Sequence, residues 1–245
     1  MKIFATIRFY WGAFIISFNT AVLMIPALML FGKYKSTIVH HINSLTLFMM
    51  GGIALKKGKM DKSADMYVMN HQGIVDIIGL EAVQNNHVRW AAKKELFDTL
   101  WFGNLLVHAE QISIDRGGKS SLRKFISDVE ESRDIYKRPV AIFPEGTRTD
   151  GQELLSFKGG TKLIAEKLGL KIQPIVITGS KKLLNEHNKT AHSAIVHYHF
   201  LPTVDVRTAN DDWYKTLRND MQKVIDDELS NDSRSRWRWC HRCHF

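Results

Sequence analysis

A long uncharged segment near the N-terminus restricts this chain more than any other feature. Residues 9–31 contain no Asp, Glu, Lys or Arg over 23 positions. A helix needs roughly 20 apolar residues to cross a bilayer, so this segment is long enough to do so. Asn19 and Thr20 lie in its middle and Pro26 interrupts it. Membrane attachment is the favoured interpretation, and a signal peptide and a buried core helix are the alternatives.

A second apolar stretch, residues 38–55, follows a basic connection at residues 33–35. The two stretches are expected to form a helical hairpin that dips into one leaflet, or two tilted spans. Positive charge on both flanks leaves their orientation open. Residues 56–59 consist of three lysines and a glycine, and we expect them to form an exposed basic linker.

Beyond residue 59, short apolar runs alternate with segments of helical spacing. Strands are predicted at residues 66–69, 87–92, 112–114, 140–143, 172–178 and 194–200. Helices are predicted at residues 74–83, 94–100, 120–136, 161–168 and 213–229. This alternation predicts the α/β class, with a largely parallel mixed sheet flanked by helices and an N-terminal membrane-embedded helical segment. In such sheets, ligands gather at the carboxyl ends of the strands.

The charge balance and the cysteine content limit the partners and the setting. The net charge is +9 and the sequence pI is about 9.5. Such an excess of Lys and Arg indicates an anionic partner, which charge alone leaves open among nucleic acid, a phospholipid surface and an acidic carrier protein. Both cysteines, Cys240 and Cys243, lie near the C-terminus, so no disulfide framework is expected in the body of the chain. The body is therefore most simply cytosol-facing.

His71 and Asp76 follow the predicted strand 66–69 and form a His-x4-Asp motif. Histidine can remove a proton from an alcohol at neutral pH, and a carboxylate on the far ring nitrogen fixes its tautomer. Five residues along a regular helix place two side chains about 140° apart. The pair can meet only if His71 lies in the strand-to-helix turn and Asp76 in the first helical turn. Free amides at that turn are expected to donate to an oxyanion. A capping Asp beside an unrelated His is the alternative.

A second motif follows the predicted strand 140–143. Gly146 permits close approach of the backbone to a ligand, and Thr147 adds a hydroxyl. Arg148 offers a planar fork that matches phosphate oxygens. Glu145 is expected to hold an arginine in position or to accept a hydrogen bond from a glycerol hydroxyl. An ordinary surface turn is the alternative. The motif reads Phe143, Pro144, Glu145, Gly146, Thr147, Arg148.

Taken in this order, the two motifs resemble those of the glycerolipid acyltransferase family, most closely its bacterial branch that acylates 1-acyl-sn-glycerol 3-phosphate. Two further blocks support the resemblance: residues 114–116, which end in Arg116, and the Pro-containing strand 173–177. The segment that leads to Arg116 departs from the second motif of the family, with Glu110 in place of glycine and Ser113 in place of an aromatic residue. The resemblance covers residues 66–179.

The resemblance implies transfer of a fatty acyl group from an acyl thioester to the 2-hydroxyl of 1-acyl-sn-glycerol 3-phosphate, which gives phosphatidic acid. His71 and Asp76 would be catalytic. The residues that would bind the substrate are Glu145, Gly146, Thr147, Arg148, Arg116 and Lys93, although a surface lysine is an equal interpretation of the last. The predicted division of the chain is a membrane anchor over residues 1–58, an acyltransferase domain over residues 59–230 and a basic aromatic tail over residues 231–245.

The resemblance also sets expectations for ligands. The acyl donor would be acyl-CoA or acyl-carrier protein, and no cofactor or metal is expected because a thiolate is already a good leaving group. The partners would be the phospholipid bilayer and lysophosphatidic acid, with no nucleic acid, at the cytoplasmic face of the cell membrane.

Other interpretations stay open. Another acceptor, such as glycerol 3-phosphate or a different lysolipid, is the nearer one, and a non-enzymatic basic membrane-binding protein is the more distant one.

Residues 240–244 fit the Cys-x-x-Cys-His pattern of haem attachment. The interleaved Trp and Arg residues of the tail suit an anionic membrane interface instead, and a frameshift product would also explain them.

Overall fold

The structure, a computed structural model, describes residues 2–84, 86, 88–100, 102–115 and 118–240. It contains ten strands: β1 (Gly52–Gly58), β2 (Met66–Met69), β3 (Arg89–Lys93), β4 (Ile112–Ile114), β5 (Val140–Ile142), β6 (Lys171–Thr178), β7 (Leu184–Asn185), β8 (Thr190–Ala191), β9 (Ala194–Phe200) and β10 (Val204–Asp205). The helices are α1 (Lys2–Phe18), α2 (Ile25–Leu30), α3 (Lys35–Met49), α4 (Val75–Val83), α5 (Lys94–Phe97), α6 (Phe102–His108), α7 (Gly118–Asp134), α8 (Gly159–Leu168), α9 (Ser180–Leu183) and α10 (Trp213–Cys240).

Eight of the strands form one mixed sheet in the order β1-β9-β6-β2-β5-β3-β4, with β10 also beside β6. The pairs from β6 through β2, β5 and β3 to β4 are parallel, and so is β1 with β9. Strands β9 and β10 both run antiparallel to β6. The parallel pairing places the carboxyl ends of β2, β3, β5 and β6 at one edge of the sheet, where ligand sites of such sheets occur.

Helices cover both faces of the sheet. On one face, sheet residues such as Tyr67 and Tyr198 share a core with Ile15 of α1, Leu47 of α3 and Ile78 of α4. The opposite face is covered by α7, α8 and α10. Strand β2 therefore contributes alternate residues to two cores, and all four of its side chains are buried.

The N-terminal helix is continuous from Lys2 to Leu30, because a π-helical turn (Asn19–Met24) joins α1 to α2. By length and composition, this helix can cross a membrane. One side of α1 packs on the body of the protein through Ala5, Gly12 and Ile15. The opposite side presents large exposed apolar side chains, namely Ile3, Phe4, Ile7, Tyr10, Trp11, Phe14 and Phe18. Their spacing of three and four residues forms one apolar stripe along the helix.

The predicted α/β class and the largely parallel mixed sheet are confirmed. Strands β2, β4 and β9 coincide with their predicted ranges. The strand predicted from residue 87 starts on His87, which lies outside the described residues, and β3 follows at Arg89–Lys93. The final helix α10 extends beyond the predicted residue 229 to Cys240.

Residues 56–59 are exposed as expected, but the linker assignment is wrong for residues 56–58. Residues up to Gly58 belong to β1, which pairs in parallel with β9 over seven residues. This strand lies at the edge of the sheet and is largely exposed. Exposed lysines are usual on edge strands, where they oppose pairing with another chain, so the lysines that indicated a linker are compatible with a strand. The division of the chain at residue 58 stays a prediction.

Candidate active site

The turn between β2 and α4 positions the His-x4-Asp pair. Asn70, directly after β2, is tied to β6: its side-chain amide donates to the carbonyl oxygen of Ile177 at 2.9 Å, and the Ile177 N–H donates back at 2.7 Å. His71 follows in the turn, and Asp76 lies in the first turn of α4. The two side chains meet, with 2.9 Å between His71 Nδ1 and Asp76 Oδ2. The arrangement predicted from their spacing is confirmed.

Asp76 is held by several donors at once. Its side chain is 0% exposed, and Oδ2 accepts the backbone N–H groups of Gln72 at 2.6 Å and Gly73 at 2.8 Å in addition to His71. These bonds stabilise a buried carboxylate. Because an ionised carboxylate can only accept, the neutral imidazole carries its proton on Nδ1. Its Nε2 can then accept a proton. The His71 side chain is 14% exposed, so a substrate can reach it.

The expectation of free oxyanion donors at this turn is wrong for three amides. The N–H groups of Gln72 and Gly73 donate to Asp76, and that of Ile74 donates to Glu186 at 2.8 Å. A helix N-terminus leaves its first amides unpaired only where side chains do not cap them. Here two carboxylates cap them.

Aromatic rings support His71 from one side. The Phe143 ring stacks on the imidazole with 3.8 Å between centroids and an interplanar angle of 11°. Trp90 stacks on Phe143 at 5.6 Å, and its indole N–H donates to Oε1 of Glu81 at 2.6 Å. Glu81 is buried, and burial raises its pKa from 4.5 to about 7. Trp90 and Glu81 were not predicted as site residues. They lie outside both motifs, and only the fold brings Trp90 onto Phe143 and Glu81 to Trp90.

Glu145 joins the two motifs through backbone groups. It is 1% exposed, and its two oxygens accept the N–H of His71 at 3.0 Å and the N–H of Leu155 at 2.9 Å. Burial raises the pKa of Glu145, and the hydrogen bonds to its carboxylate oppose that rise. The expected support of Arg148 by Glu145 is not present in this structure. Glu145 instead fixes the backbone beside the imidazole.

The turn of the second motif is tight and partly open. Gly146 has a φ of +70°, and its N–H donates to the carbonyl oxygen of Phe143 at 3.0 Å. Thr147 and Arg148 are exposed. Lys158, which precedes α8, lies against this turn, because a Cβ at position 146 would be 3.6 Å from its Cγ. Lys158 is a basic residue that the sequence analysis missed, since it lies ten residues beyond the motif.

The predicted phosphate-binding residues differ in how the structure places them. The Arg148 side chain is 50% exposed and its guanidinium pairs with Glu186. Lys93 ends β3 at the same edge of the sheet and pairs with Glu95 at 2.9 Å. Arg116 lies outside the described residues. The structure thus brings Arg148 to the rim of the His71 site, and the roles of Lys93 and Arg116 stay predictions.

The two motif segments also meet through their main chains. The N–H of Thr149 donates to the carbonyl oxygen of His71 at 2.9 Å, and the side-chain amide of Gln72 donates to the carbonyl oxygen of Gly151 at 3.1 Å. In the described part of the chain, no group of three or more His, Cys, Asp and Glu side chains is placed to hold a metal ion. The arrangement suits removal of a proton from a hydroxyl by His71. Arg148 and Lys158 form a basic rim beside it.

Three kinds of comparison relate this chain to known acyltransferases. A family model described as Acyltransferase matches residues 55–178. The 1-acyl-sn-glycerol-3-phosphate acyltransferase of Helicobacter pylori is 39% identical over 178 residues, which cover 72% of this chain and 75% of that protein. The Escherichia coli protein of the same name is 25% identical over 165 residues, which cover 67% of this chain and 66% of that protein.

A solved structure shares the fold. The crystal structure of the 1-acyl-sn-glycerophosphate acyltransferase PlsC from Thermotoga maritima matches with a TM-score of 0.78 and 19% sequence identity, and the match covers 94% of this chain and 98% of that one. The family match spans half of the chain and includes both motifs. The chain therefore belongs to the acyltransferase family.

Proposed function

We propose that this protein transfers a fatty acyl group from an acyl thioester to the 2-hydroxyl of 1-acyl-sn-glycerol 3-phosphate and so produces phosphatidic acid. The observation that carries the proposal is the pairing of His71 with the fully buried Asp76 at 2.9 Å. The relatives from Helicobacter pylori and Escherichia coli, which carry the name of this activity, support the choice of acceptor.

The proposed reaction begins at the unprotonated Nε2 of His71. Its Nε2 takes the proton of the acceptor hydroxyl as the oxygen attacks the thioester carbonyl carbon. Asp76 stabilises the imidazolium that forms. The tetrahedral intermediate then collapses, the carbon–sulfur bond breaks, and the thiolate leaves with the proton that His71 releases. The products are phosphatidic acid and a free thiol, and none of these steps needs a cofactor or a metal.

Binding of the acceptor is assigned to the basic rim. The guanidinium of Arg148 is half exposed and presents donors in a planar fork, which matches phosphate oxygens. Lys158, which lies against Gly146, adds a second positive charge beside the same turn. Lys93 and Arg116 are further candidates to bind the phosphate, on the evidence of the sequence. Gly146 and Thr147 form the turn that carries Arg148.

Membrane attachment is assigned to the exposed apolar stripe of α1. A stripe of this length is costly in water and favourable in the hydrocarbon part of a bilayer. Attachment at the cytoplasmic face would bring the site to the surface where the lipid acceptor and the product reside. The proposed donors are acyl-CoA and acyl-carrier protein, both of which are water-soluble.

The test is a transfer assay with purified protein in detergent. Radiolabelled acyl-CoA and lysophosphatidic acid are incubated in EDTA with the wild type and with His71→Ala. The proposal expects labelled phosphatidic acid from the wild type alone. Equal product from both proteins would remove His71 from the reaction. Product from glycerol 3-phosphate or another lysolipid, and none from lysophosphatidic acid, would replace the proposed acceptor.

A further inference from the structure

Glu186 lies outside both sequence motifs but reaches into the candidate active site. It follows β7 in the turn of the short β7–β8 hairpin. The turn is closed locally, because Asn185 accepts the N–H of Asn188 at 2.9 Å. In the chain, Glu186 is 38 residues from Arg148 and 112 residues from Ile74, so only the tertiary fold brings these groups together.

The two carboxylate oxygens of Glu186 have different partners. Oε1 accepts the N–H of Ile74, directly before α4, at 2.8 Å. Oε2 accepts from the guanidinium of Arg148. A Cβ at position 73 would approach Oε1 to 3.1 Å, so the glycine at that position leaves room for the carboxylate. Glu186 therefore links the helix that carries Asp76 to the exposed arginine.

The hairpin that carries Glu186 is itself packed against the apolar helix α1. A Cβ at Gly12 would approach Leu184 to 3.2 Å, and Leu184 is buried. Beyond β8, Arg8 donates to the hydroxyl of Ser193 at 3.0 Å. The carboxylate is thus supported by a fixed backbone amide and by a hairpin packed against a long helix. It is not a freely moving surface side chain.

We propose that Glu186 is a positioning residue for acceptor recognition, which holds the guanidinium of Arg148 at the mouth of the His71 site. This inference rests on the proposed function. An exposed arginine loses considerable side-chain entropy when it binds a ligand, and prior orientation reduces that loss. The contact with Glu186 uses part of the guanidinium, which has five N–H donors in all. The remaining donors can bind phosphate oxygens.

The negative charge of Glu186 also opposes an anionic ligand, so the two effects must be compared. The Glu186 side chain is 32% exposed, and solvent and salt screen its repulsion of a phosphate. Its bond to Ile74 keeps the carboxylate in place, so it cannot swing toward the ligand site. We therefore expect orientation of Arg148 to outweigh repulsion.

Glu186→Gln tests this proposal, because glutamine can still accept from Ile74 but cannot form the ion pair. We expect the acceptor KM for lysophosphatidic acid to rise about fivefold, the size of a partly exposed ion pair, with kcat and the donor KM nearly unchanged. The matched control is Glu130→Gln, which removes an exposed carboxylate from α7, on the face of the sheet opposite to α4, and should leave both constants unchanged. An unchanged or lower acceptor KM in Glu186→Gln would overturn the proposal.

A double-mutant cycle separates action through Arg148 from a general structural effect. In an Arg148→Ala background, Glu186→Gln should no longer raise the acceptor KM, because there is no guanidinium to orient. The same fivefold rise in both backgrounds would reject the positioning role. Circular dichroism and thermal unfolding of each variant report whether it is folded.

A binding measurement separates this inference from the proposed reaction. The dissociation constant of lysophosphatidic acid is measured by calorimetry in the inactive His71→Ala background, with and without Glu186→Gln. We expect about fivefold weaker binding with the second substitution. Equal or tighter binding would overturn the role of Glu186 whether or not the wild type catalyses transfer, whereas loss of the reaction alone would reject only the proposed function.

Discussion

The His71 side and the Arg148 side of the site are built in opposite ways. Asp76 is fully buried and accepts three hydrogen bonds on one oxygen, and a stacked Phe143 supports the imidazole. Arg148 lies on an exposed turn and pairs with Glu186 at the rim. The first side is a fixed part of the core, and the second lies at the protein surface.

The difference follows from what each side has to do. A general base works only within hydrogen-bonding distance of the proton that it removes, so its position must be fixed before the substrate arrives. A buried carboxylate meets that need but requires hydrogen bonds to compensate for its desolvation. A phosphate-binding cation must stay accessible to an incoming ligand, and exposure keeps its desolvation cost low. Substitutions on the two sides should therefore change different kinetic constants.

The largest effect is expected on the buried side, from Asp76→Asn. An amide cannot stabilise the imidazolium and does not fix the proton on Nδ1. We expect kcat to fall by about 10³-fold to 10⁴-fold, as for loss of the aspartate of a catalytic triad. Steady-state transfer to lysophosphatidic acid measures this effect. Asp128→Asn, which removes one partner of a surface ion pair on α7, is the control, and an equal loss in both variants would contradict the assignment.

A second large effect is expected from Glu81→Gln, measured as stability against pH. Burial raises the pKa of Glu81 from 4.5 to about 7, so between these values the folded protein holds a proton that the unfolded chain has released. The free energy of unfolding of the wild type should therefore fall, relative to the variant, as the pH rises from 4.5 through 7, by on the order of 3 kcal/mol. Glutamine does not titrate and can still accept from Trp90. Urea unfolding at pH 5 and pH 8 measures the difference, and a pH-independent difference would show that Glu81 does not titrate in this range.

On the exposed side, Arg148→Ala should act on binding. We expect the acceptor KM to rise about 10-fold to 100-fold, the size of a lost hydrogen bond between charged groups, with kcat within a few-fold of the wild type. Kinetics at several acceptor concentrations measure both constants. Lys167→Ala, an exposed lysine at the end of α8, controls for a general loss of positive charge. A fall in kcat at an unchanged KM would remove the distinction between the two sides.

The smallest effect is expected from Phe143→Leu. Leucine keeps most of the buried volume but loses the stacking on His71, which is worth about 1 kcal/mol and corresponds to roughly a fivefold lower kcat. The acceptor KM should not change. Phe125→Leu, on the opposite face of the sheet, makes the same substitution away from the imidazole. If both variants lower kcat equally, the stacking has no specific role.

The sequence predicted the parts of the molecule whose signals are local. The His71–Asp76 contact follows from a spacing of five residues across one turn, and strand β2 follows from a short apolar run. Strand β1 was missed because its exposed lysines resemble those of a linker. Lysines are usual on an edge strand, but no local pattern in the sequence indicates that this segment lies at the sheet edge.

Contacts between distant segments could not be predicted in this way. Glu186 meets Arg148 through the β7–β8 hairpin, and Glu81 meets Trp90 across α4 and β3. Glu145 was expected to hold an arginine or to accept from a glycerol hydroxyl, and its oxygens instead accept two backbone N–H groups. A single sequence shows that a glutamate is present at each of these positions. It does not show which group the carboxylate contacts, because that depends on the fold.

The division of the site into a catalytic side and a binding side is tested most directly by the rate of phosphatidic acid formation in His71→Ala and Arg148→Ala. The rate is measured against acceptor concentration, up to saturation. We expect Arg148→Ala to approach the wild-type rate at saturating lysophosphatidic acid and His71→Ala to stay near zero at every concentration. Recovery of His71→Ala at high acceptor concentration, or a saturating rate of Arg148→Ala as low as that of His71→Ala, would contradict the division of the site into a catalytic side and a binding side.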